Sequence, residues 1–309
     1  MEPQLERLRS RRAARARALR RRRRRSAALA LLIMALATAA IVTMGASGRS
    51  VHPTASATLT SSTQTPQAAV KRGFRSSAQL KAVQRLASYG LPLYCGRRSK
   101  RMVALTFDDG PGPYTTLAIT KLRDWHLRAT FFLVGKEITA HPGLARLEES
   151  VASFGDHTMT HPFLPALSHP AMVQEIAGAR TLIERSTGQP VLLFRPPYES
   201  RTPPIDSEVR ALGMLDVLWN VDSGDSLGAN YAGIERNVIA GLRPGSIILM
   251  HENRGQTIRA LPVIFAALKR DHLRAVTVPE LIAADPPSVA QLQQGERGCS
   301  ATRTPGSGG

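Results

Sequence analysis

Two adjacent carboxylates, Asp108 and Asp109, stand at the mouth of a short apolar run in the stretch 101–113, RMVALTFDDGPGP. Met102–Phe107 contains β-branched and aromatic residues and is closed at once by Gly-Pro-Gly-Pro, which predicts a buried strand ending in a loop. Consecutive side chains of an extended chain point to opposite sides. One carboxylate can then ligate a cation while its neighbour moves a proton. Asp-Asp-Gly is also ordinary turn chemistry, so the other polar clusters must decide.

A second cluster, 154–162, reads FGDHTMTHP. His157 and His161 are four apart, so one helical turn would place both imidazoles on one face, a spacing at which two histidines grip one metal. With Asp109 they form a set of two imidazoles and one carboxylate. Such a set suits a catalytic zinc, which keeps a position open for water. Three more clusters each follow an apolar run: Arg195-Pro-Pro-Tyr198, Asp222-Ser-Gly-Asp225 and His251. Singly they read as loop prolines, an Asp-Gly turn and a solvated histidine. Five strand ends carrying Asp, His, Arg, Asp and His argue instead for one site, because α/β barrels place chemistry at the C-terminal ends of their strands.

The elements that must position these residues alternate along the chain. Buried strands are expected at 102–107, 129–134, 191–194, 215–221, 246–250 and 273–278. Helices are expected at 77–89, 115–125, 171–186, 207–212, 234–242 and 259–269, with a less regular one near 144–149. Apolar strands alternating with helices imply a parallel sheet covered by helices. At this length a (β/α) barrel is the economical closure.

The chain has 309 residues and a formal charge of +18, with pI 11.2. The charge is concentrated: residues 1–25 hold 12 arginines against Glu2 and Glu6, leaving a mildly basic remainder. Residues 26–46 come next without a charge, long enough to span a bilayer. Arginines before such a span keep the N-terminus cytoplasmic and export the residues beyond it. A membrane anchor is expected; a cleaved signal peptide is the alternative. The position of the arginines before that span argues against a nucleic-acid-binding arm. Residues 47–76 begin with a Ser/Thr/Pro/Gln-rich spacer that cannot bury enough to order itself. A catalytic domain is expected over 77–284, and 285–309 reads as a disordered tail. Cys95 and Cys299 are the only cysteines. A disulfide between them would persist after export, and two free thiols are the other reading.

In this order, TFDDGP, HTMTH, RPPY, DSGD and LMH resemble the polysaccharide deacetylases, the NodB-type carbohydrate esterases, over roughly residues 91–282. The resemblance is to bacterial cell-surface peptidoglycan and chitooligosaccharide deacetylases. It implies a distorted (β/α) barrel, a divalent cation (usually zinc) and hydrolysis of N- or O-acetyl groups on polysaccharides. It further implies Asp108 as catalytic base, Asp109, His157 and His161 as metal ligands, and Arg195 as the residue that orients Asp108. Tyr198 would offer its backbone N–H to the oxyanion, with Pro197 and Asp222 beside the substrate. Asp225 would pair with the arginine or tune the acid; His251 would be that acid, and Leu249 would line the acetyl pocket. Two positions depart from the family's pattern: Ser226 stands where Trp is usual, and Glu199 where Gly is usual. The substrate expected for a tethered domain is N-acetylated cell-wall glycan, peptidoglycan before chitin-type oligosaccharides or acetylated xylan. No nucleic-acid partner is expected, and a monomer is.

Overall fold

The computed structural model describes residues 76–300. The apolar span expected over 26–46 and most of the spacer lie outside the described residues. Among the described residues, no helix is long and apolar enough to cross a membrane.

Eight parallel strands form one sheet: β1 Met102–Gly110, β2 Ala129–Leu133, β3 Ala152–Asp156, β4 Leu193–Phe194, β5 Leu215–Asp216, β6 Val221–Asp222, β7 Ile247–His251 and β8 Arg274–Val276. Their order is β5-β4-β3-β2-β1-β7-β6, and β8 pairs with the first half of β1 on the edge opposite β7, below β2. The connecting helices are α2 Thr115–Asp124, α3 Gly135–Ala140, α4 Leu144–Glu148, α5 His169–Thr187, α6 Pro203–Ala211, α7 Tyr231–Gly241 and α8 Gly255–Arg270, with α1 Ser77–Ser88 preceding the sheet and α9 Val278–Ala284 and α10 Val289–Gln293 following it.

Side-chain alternation along the strands divides the core in two. Val103, Leu105 and Phe107 of β1 and Ile248 and Met250 of β7 pack under the connecting helices, against residues such as Ile119, Leu122, Ile176 and Ile264. Phe107 stacks on Phe131 at 5.2 Å between centroids. The intervening residues Met102, Ala104, Phe132 and Ile247 face the other way and meet Val83 and Leu86 of α1 and Leu281 and Ile282 of α9. Each fully buried Leu, Ile or Phe contributes about 1.5–3 kcal/mol, and the period of two decides which side of the sheet it lines. Thr106, Asp108, Leu249 and His251 share the parity of the second set. They stand where β1 and β7 end, so the site grows out of that face.

The expected full barrel closure is not reached. The run 215–221, read as one strand, contributes β5 to one edge of the sheet and β6 to the other. Among the described residues no ladder joins those two strands. The backbone between them is satisfied by other partners: Leu218 N donates to Leu93 O at 2.7 Å, and Leu93 N donates to Asp216 O at 2.8 Å. The result is a curled, open sheet. β3, which the sequence does not announce, forms from the small-residue stretch ASFGD and is buried along its whole length.

Cys95 and Cys299 are disulfide-bonded, with Cα atoms 5.9 Å apart. The expectation of a disordered tail is corrected for residues 285–300. Asp285 accepts from the backbone of Ser99 and Lys100, both at 2.9 Å, Ser288 caps α10, Leu292 is buried and the disulfide ties Cys299 down.

Candidate active site

Every polar cluster singled out in the sequence lies at or just after the C-terminal end of a strand. Asp108 and Asp109 end β1, His157 and His161 follow β3, Arg195 follows β4, Asp225 follows β6, and His251 ends β7.

The β1 end does not stay extended. Asp109 has φ 68°, and the pairing with β2 skips it, Asp108 matching Phe132 and Gly110 matching Leu133. This left-handed bulge brings both carboxylates to one place, correcting the expectation that they face opposite sides. His157 Nε2 lies 3.7 Å from both Asp108 Oδ2 and Asp109 Oδ1. The two histidines are not on a helix either. Thr158 and His161 are left-handed, at φ 71° and 62°, and the loop is tied by Thr158 N donating to Asp156 Oδ1 at 2.7 Å and His161 N donating to Thr158 Oγ1 at 3.1 Å. Two reversals accomplish what one helical turn was expected to do.

Asp109, His157 and His161 offer one ligand atom each, all within 4.8 Å of one another. His161 Nε2 lies 3.3 Å from Asp109 Oδ1, close to the ligand–ligand edge of about 3.3 Å that tetrahedral zinc with bonds of about 2.0–2.1 Å requires. The rings are aimed from behind. His157 Nδ1 is 2.6 Å from Arg195 O and His161 Nδ1 is 3.2 Å from Tyr198 Oη, which leaves both Nε2 atoms toward Asp109. Burial and the neighbouring His157 lower the His161 pKa to about 4 against the pull of Asp109, so its imidazole is neutral at ordinary pH. Burial works against ionised Asp109, yet the electrostatic pull of His157, His251 and His161, with the Asn253 amide, outweighs it and holds the carboxyl below its ordinary value. Two imidazoles beside one carboxylate fit a divalent cation, and among the described residues this is the one such set.

Arg195 is fully buried. Its NH1 donates to Asp108 Oδ1 at 2.6 Å and to Thr106 Oγ1 at 2.9 Å. Its Nε and NH2 donate to Val217 O at 2.8 Å and Leu218 O at 3.3 Å, the carbonyls of the run where the sheet fails to close. The guanidinium lies over Phe132 at 4.0 Å. One side chain thus seals the gap in the sheet and fixes the carboxylate of Asp108.

Of the two partners expected for Asp225, the structure shows His251. Oδ1 accepts from His251 Nδ1, and Oδ2 accepts from His251 N, both at 2.7 Å. Oδ2 also accepts from Thr257 Oγ1 at 2.6 Å. Burial alone would lower the His251 pKa; the hydrogen bond and charge of Asp225, helped by Asp108 and Asp109, raise it to about 9.

Pro197 and Tyr198 lie on the short turn after Arg195, and Tyr198 is left-handed at φ 62°. Leu249 is buried on β7 beside Thr106. Asp222 Oδ1 accepts from Gly224 N at 2.8 Å, the ordinary turn role. Three participants are not evident from the sequence: Thr106, Asn253, whose amide donates to Asp109 Oδ2 at 3.3 Å, and Thr257. Thr106 was findable, since it shares a strand face with Asp108. Thr257 lies in a helical run and carries no local signal.

The polysaccharide deacetylase family model matches residues 96–217. A peptidoglycan-N-acetylglucosamine deacetylase of Bacillus cereus is 32% identical over 192 residues, covering 60% of this chain and 89% of that protein. The chain belongs to the polysaccharide deacetylase family. Other family relatives include the chitooligosaccharide deacetylase of a Bradyrhizobium strain, 30% identical over 62% of this chain and 98% of that protein. The Listeria monocytogenes peptidoglycan-N-acetylglucosamine deacetylase PgdA is 30% identical over 60% of this chain, which matches 39% of that longer protein. Among solved structures, a peptidoglycan N-acetylglucosamine deacetylase superposes with a TM-score of 0.59 at 30% identity, covering 62% of this chain and 92% of that one. Within this deacetylase framework, Glu199 is left-handed at φ 55°, and Ser226 is exposed next to Asp225.

Proposed function

We propose that this polysaccharide deacetylase is a metal-dependent hydrolase that removes acetyl groups from N-acetylated cell-wall glycan, peptidoglycan foremost. The observation that carries the reading is the placement of two hydrogen-bonded ion pairs, Asp108–Arg195 and His251–Asp225, around the Asp109, His157 and His161 set. Asp109, His157 and His161 would hold the ion, zinc being well suited to that donor set. Bound there, it would supply Lewis acidity and acidify water near neutral pH.

Asp108, oriented by Arg195, takes the proton of the attacking water. Since Asp109 reaches the cation set from its own left-handed position, the base is left for proton transfer. The Tyr198 backbone N–H is assigned to the developing oxyanion, where a positioned donor acts most strongly. An amine leaves only when protonated. With Nδ1–H held by Asp225, His251 presents its Nε2–H as the donor and carries that proton throughout the neutral range. Leu249 is assigned to the acetyl methyl, with Pro197 and Asp222 at the substrate's edge. Residues 26–46 are read as the tether that keeps the domain beside the wall.

The substrate rests on the relatives' named activities and on that tether; chitin-type oligosaccharides are the alternative. A catalytically weak glycan binder would be expected to lack the base or the acid, and both are present. The test is acetate release by the zinc-loaded full-length protein in detergent, on peptidoglycan and on chitin oligomers, with Asp108→Asn and a chelated sample as controls. Release abolished in both controls supports the reading. Stoichiometric zinc without release from either polymer would refute it.

A further inference from the structure

Behind the β1 turn lie two buried carboxyls that the reaction does not use. Glu252 follows His251 and Glu148 ends α4, and both are fully buried. Glu252 Oε1 accepts from Thr115 Oγ1 at 2.7 Å, and that hydroxyl accepts from Gly112 N at 2.7 Å. Among the described residues, Glu148 Oε1, Glu148 Oε2 and Glu252 Oε2 have no donor. Burial, together with the neighbouring Glu252 charge, pushes the Glu148 carboxyl well above its ordinary value, so Glu148 keeps a proton beside an unpartnered Glu252 oxygen. What faces the pair does not neutralise it: from β1 the nearby charged group is Asp109, another carboxylate, and α2 presents the uncharged Thr115 hydroxyl. Two like charges kept out of water at this place would be far too unfavourable to persist.

The pair also sits where it can act on the metal set. A Cβ on Gly110 would land on the Glu252 carboxylate, so the turn following Asp109 is moulded around that side chain. Glu252 N donates to Asp108 O at 3.2 Å, and the next residue, Asn253, donates to Asp109 Oδ2. We propose that Glu148 and Glu252 share a proton and act as a positioning unit. The pair locks the 110–112 turn on one side and the 251–253 segment on the other, and so fixes the carboxylate of Asp109. This inference rests on the metal-site reading of Asp109, His157 and His161.

The test compares the full-length protein with Glu148→Gln and Glu148→Ala. Gln donates its amide to Glu252 in place of the shared proton; Ala removes the partner. Infrared difference spectra should show a protonated-carboxyl band above neutral pH that Glu148→Gln loses. Burial pushes Glu252 from 4.5 up to about 7. In that window the folded state keeps a proton that the unfolded chain releases, so the folding constant falls up to about tenfold per pH unit, and Glu148→Gln should flatten the fall. Zinc affinity, read by chelator competition, should survive in Glu148→Gln and drop about 10- to 100-fold in Glu148→Ala, as when other groups that orient a ligand are lost. An unchanged band and pH slope in Glu148→Gln would overturn the shared proton. So would a second equivalent of cation present in the wild type and absent from that variant. Wild-type zinc affinity in Glu148→Ala would overturn the positioning role. Failure of acetate release with these results intact would count against the proposed activity alone.

Discussion

Asp225→Asn should separate the structural and electrostatic jobs of one carboxylate. Oδ1 accepts from His251 Nδ1 and Ser226 N, and Oδ2 from His251 N and Thr257 Oγ1, at 2.6–2.7 Å. An amide placed either way points its NH₂ at a backbone N–H that can only donate. One bond is lost and a buried donor is left unpaired, at about 1–3 kcal/mol. The electrostatic effect is separate. The rise of His251 from 6.5 to about 9 corresponds to about 3 kcal/mol, at about 1.36 kcal/mol per pH unit. In the wild type that stabilisation is fully present below 6.5 and is lost as the pH rises through about 9. Without the Asp225 charge, burial dominates and His251 should titrate at 6.5 or lower. At about pH 7.5 no more than about a tenth of it would then be charged, so kcat/KM should fall about tenfold or more and recover toward about pH 6. The assay is acetate release against pH for both proteins at matched zinc occupancy, with denaturant unfolding over the same range. An alkaline limb near 9 in the variant as in the wild type would refute His251 as the proton donor.

Arg195→Lys should destabilise the fold by about 3 kcal/mol or more, because an ammonium cannot reach Asp108, Val217 O and Leu218 O together; denaturant midpoints of the full-length chain would show it. His161→Ala should lose most zinc binding by chelator competition, and activity with it, while chelation of the wild type should be reversed by adding zinc back. Replacing both Cys95 and Cys299 by Ser should lower stability by up to about 5 kcal/mol, because the closed loop spans a separation of 204 residues. Limited proteolysis should then cut first in 288–300.

The strands that read clearly were those whose apolar runs are long enough to bury both faces, 102–107, 129–134 and 246–250. β3 was missed because Ala, Ser and Gly carry little strand preference of their own; it is a strand because Phe154 and its neighbours sit between β2 and β4. Gly155 is needed there because a Cβ would strike the Phe132 ring. The run 215–221 was legible as apolar but not as divided. Its division depends on Leu93 and Arg195, distant in sequence, taking up the backbone groups that a continuing ladder would have used. Glu148 could not be read as part of anything, since one buried acid in a helical stretch looks like any exposed one until its partner across the fold is known.

The site itself was legible as a set of residues and illegible as a shape, and the reason is the backbone. Asp109, Thr158, His161, Tyr198 and Glu199 all adopt left-handed φ values between 55° and 71°. For a residue with a Cβ that conformation costs about 1–2 kcal/mol, and most of all for a β-branched threonine. Local preference therefore predicts the opposite at every one of these positions, an extended pair of aspartates and a helical turn of histidines. The reversals persist because other groups over-determine them: Asp156 ties the Thr158 backbone, Thr158 ties His161, and Asn253 holds the Asp109 side chain. Glu199 obeys the same logic. In place of the family's usual glycine it adds bulk and a negative charge. At φ 55° it is first a backbone demand, one that glycine meets without strain and glutamate meets only because the turn around Pro197 and Tyr198 imposes it. Strain concentrated around the metal set and absent from most of the remaining fold is what a preorganised site requires.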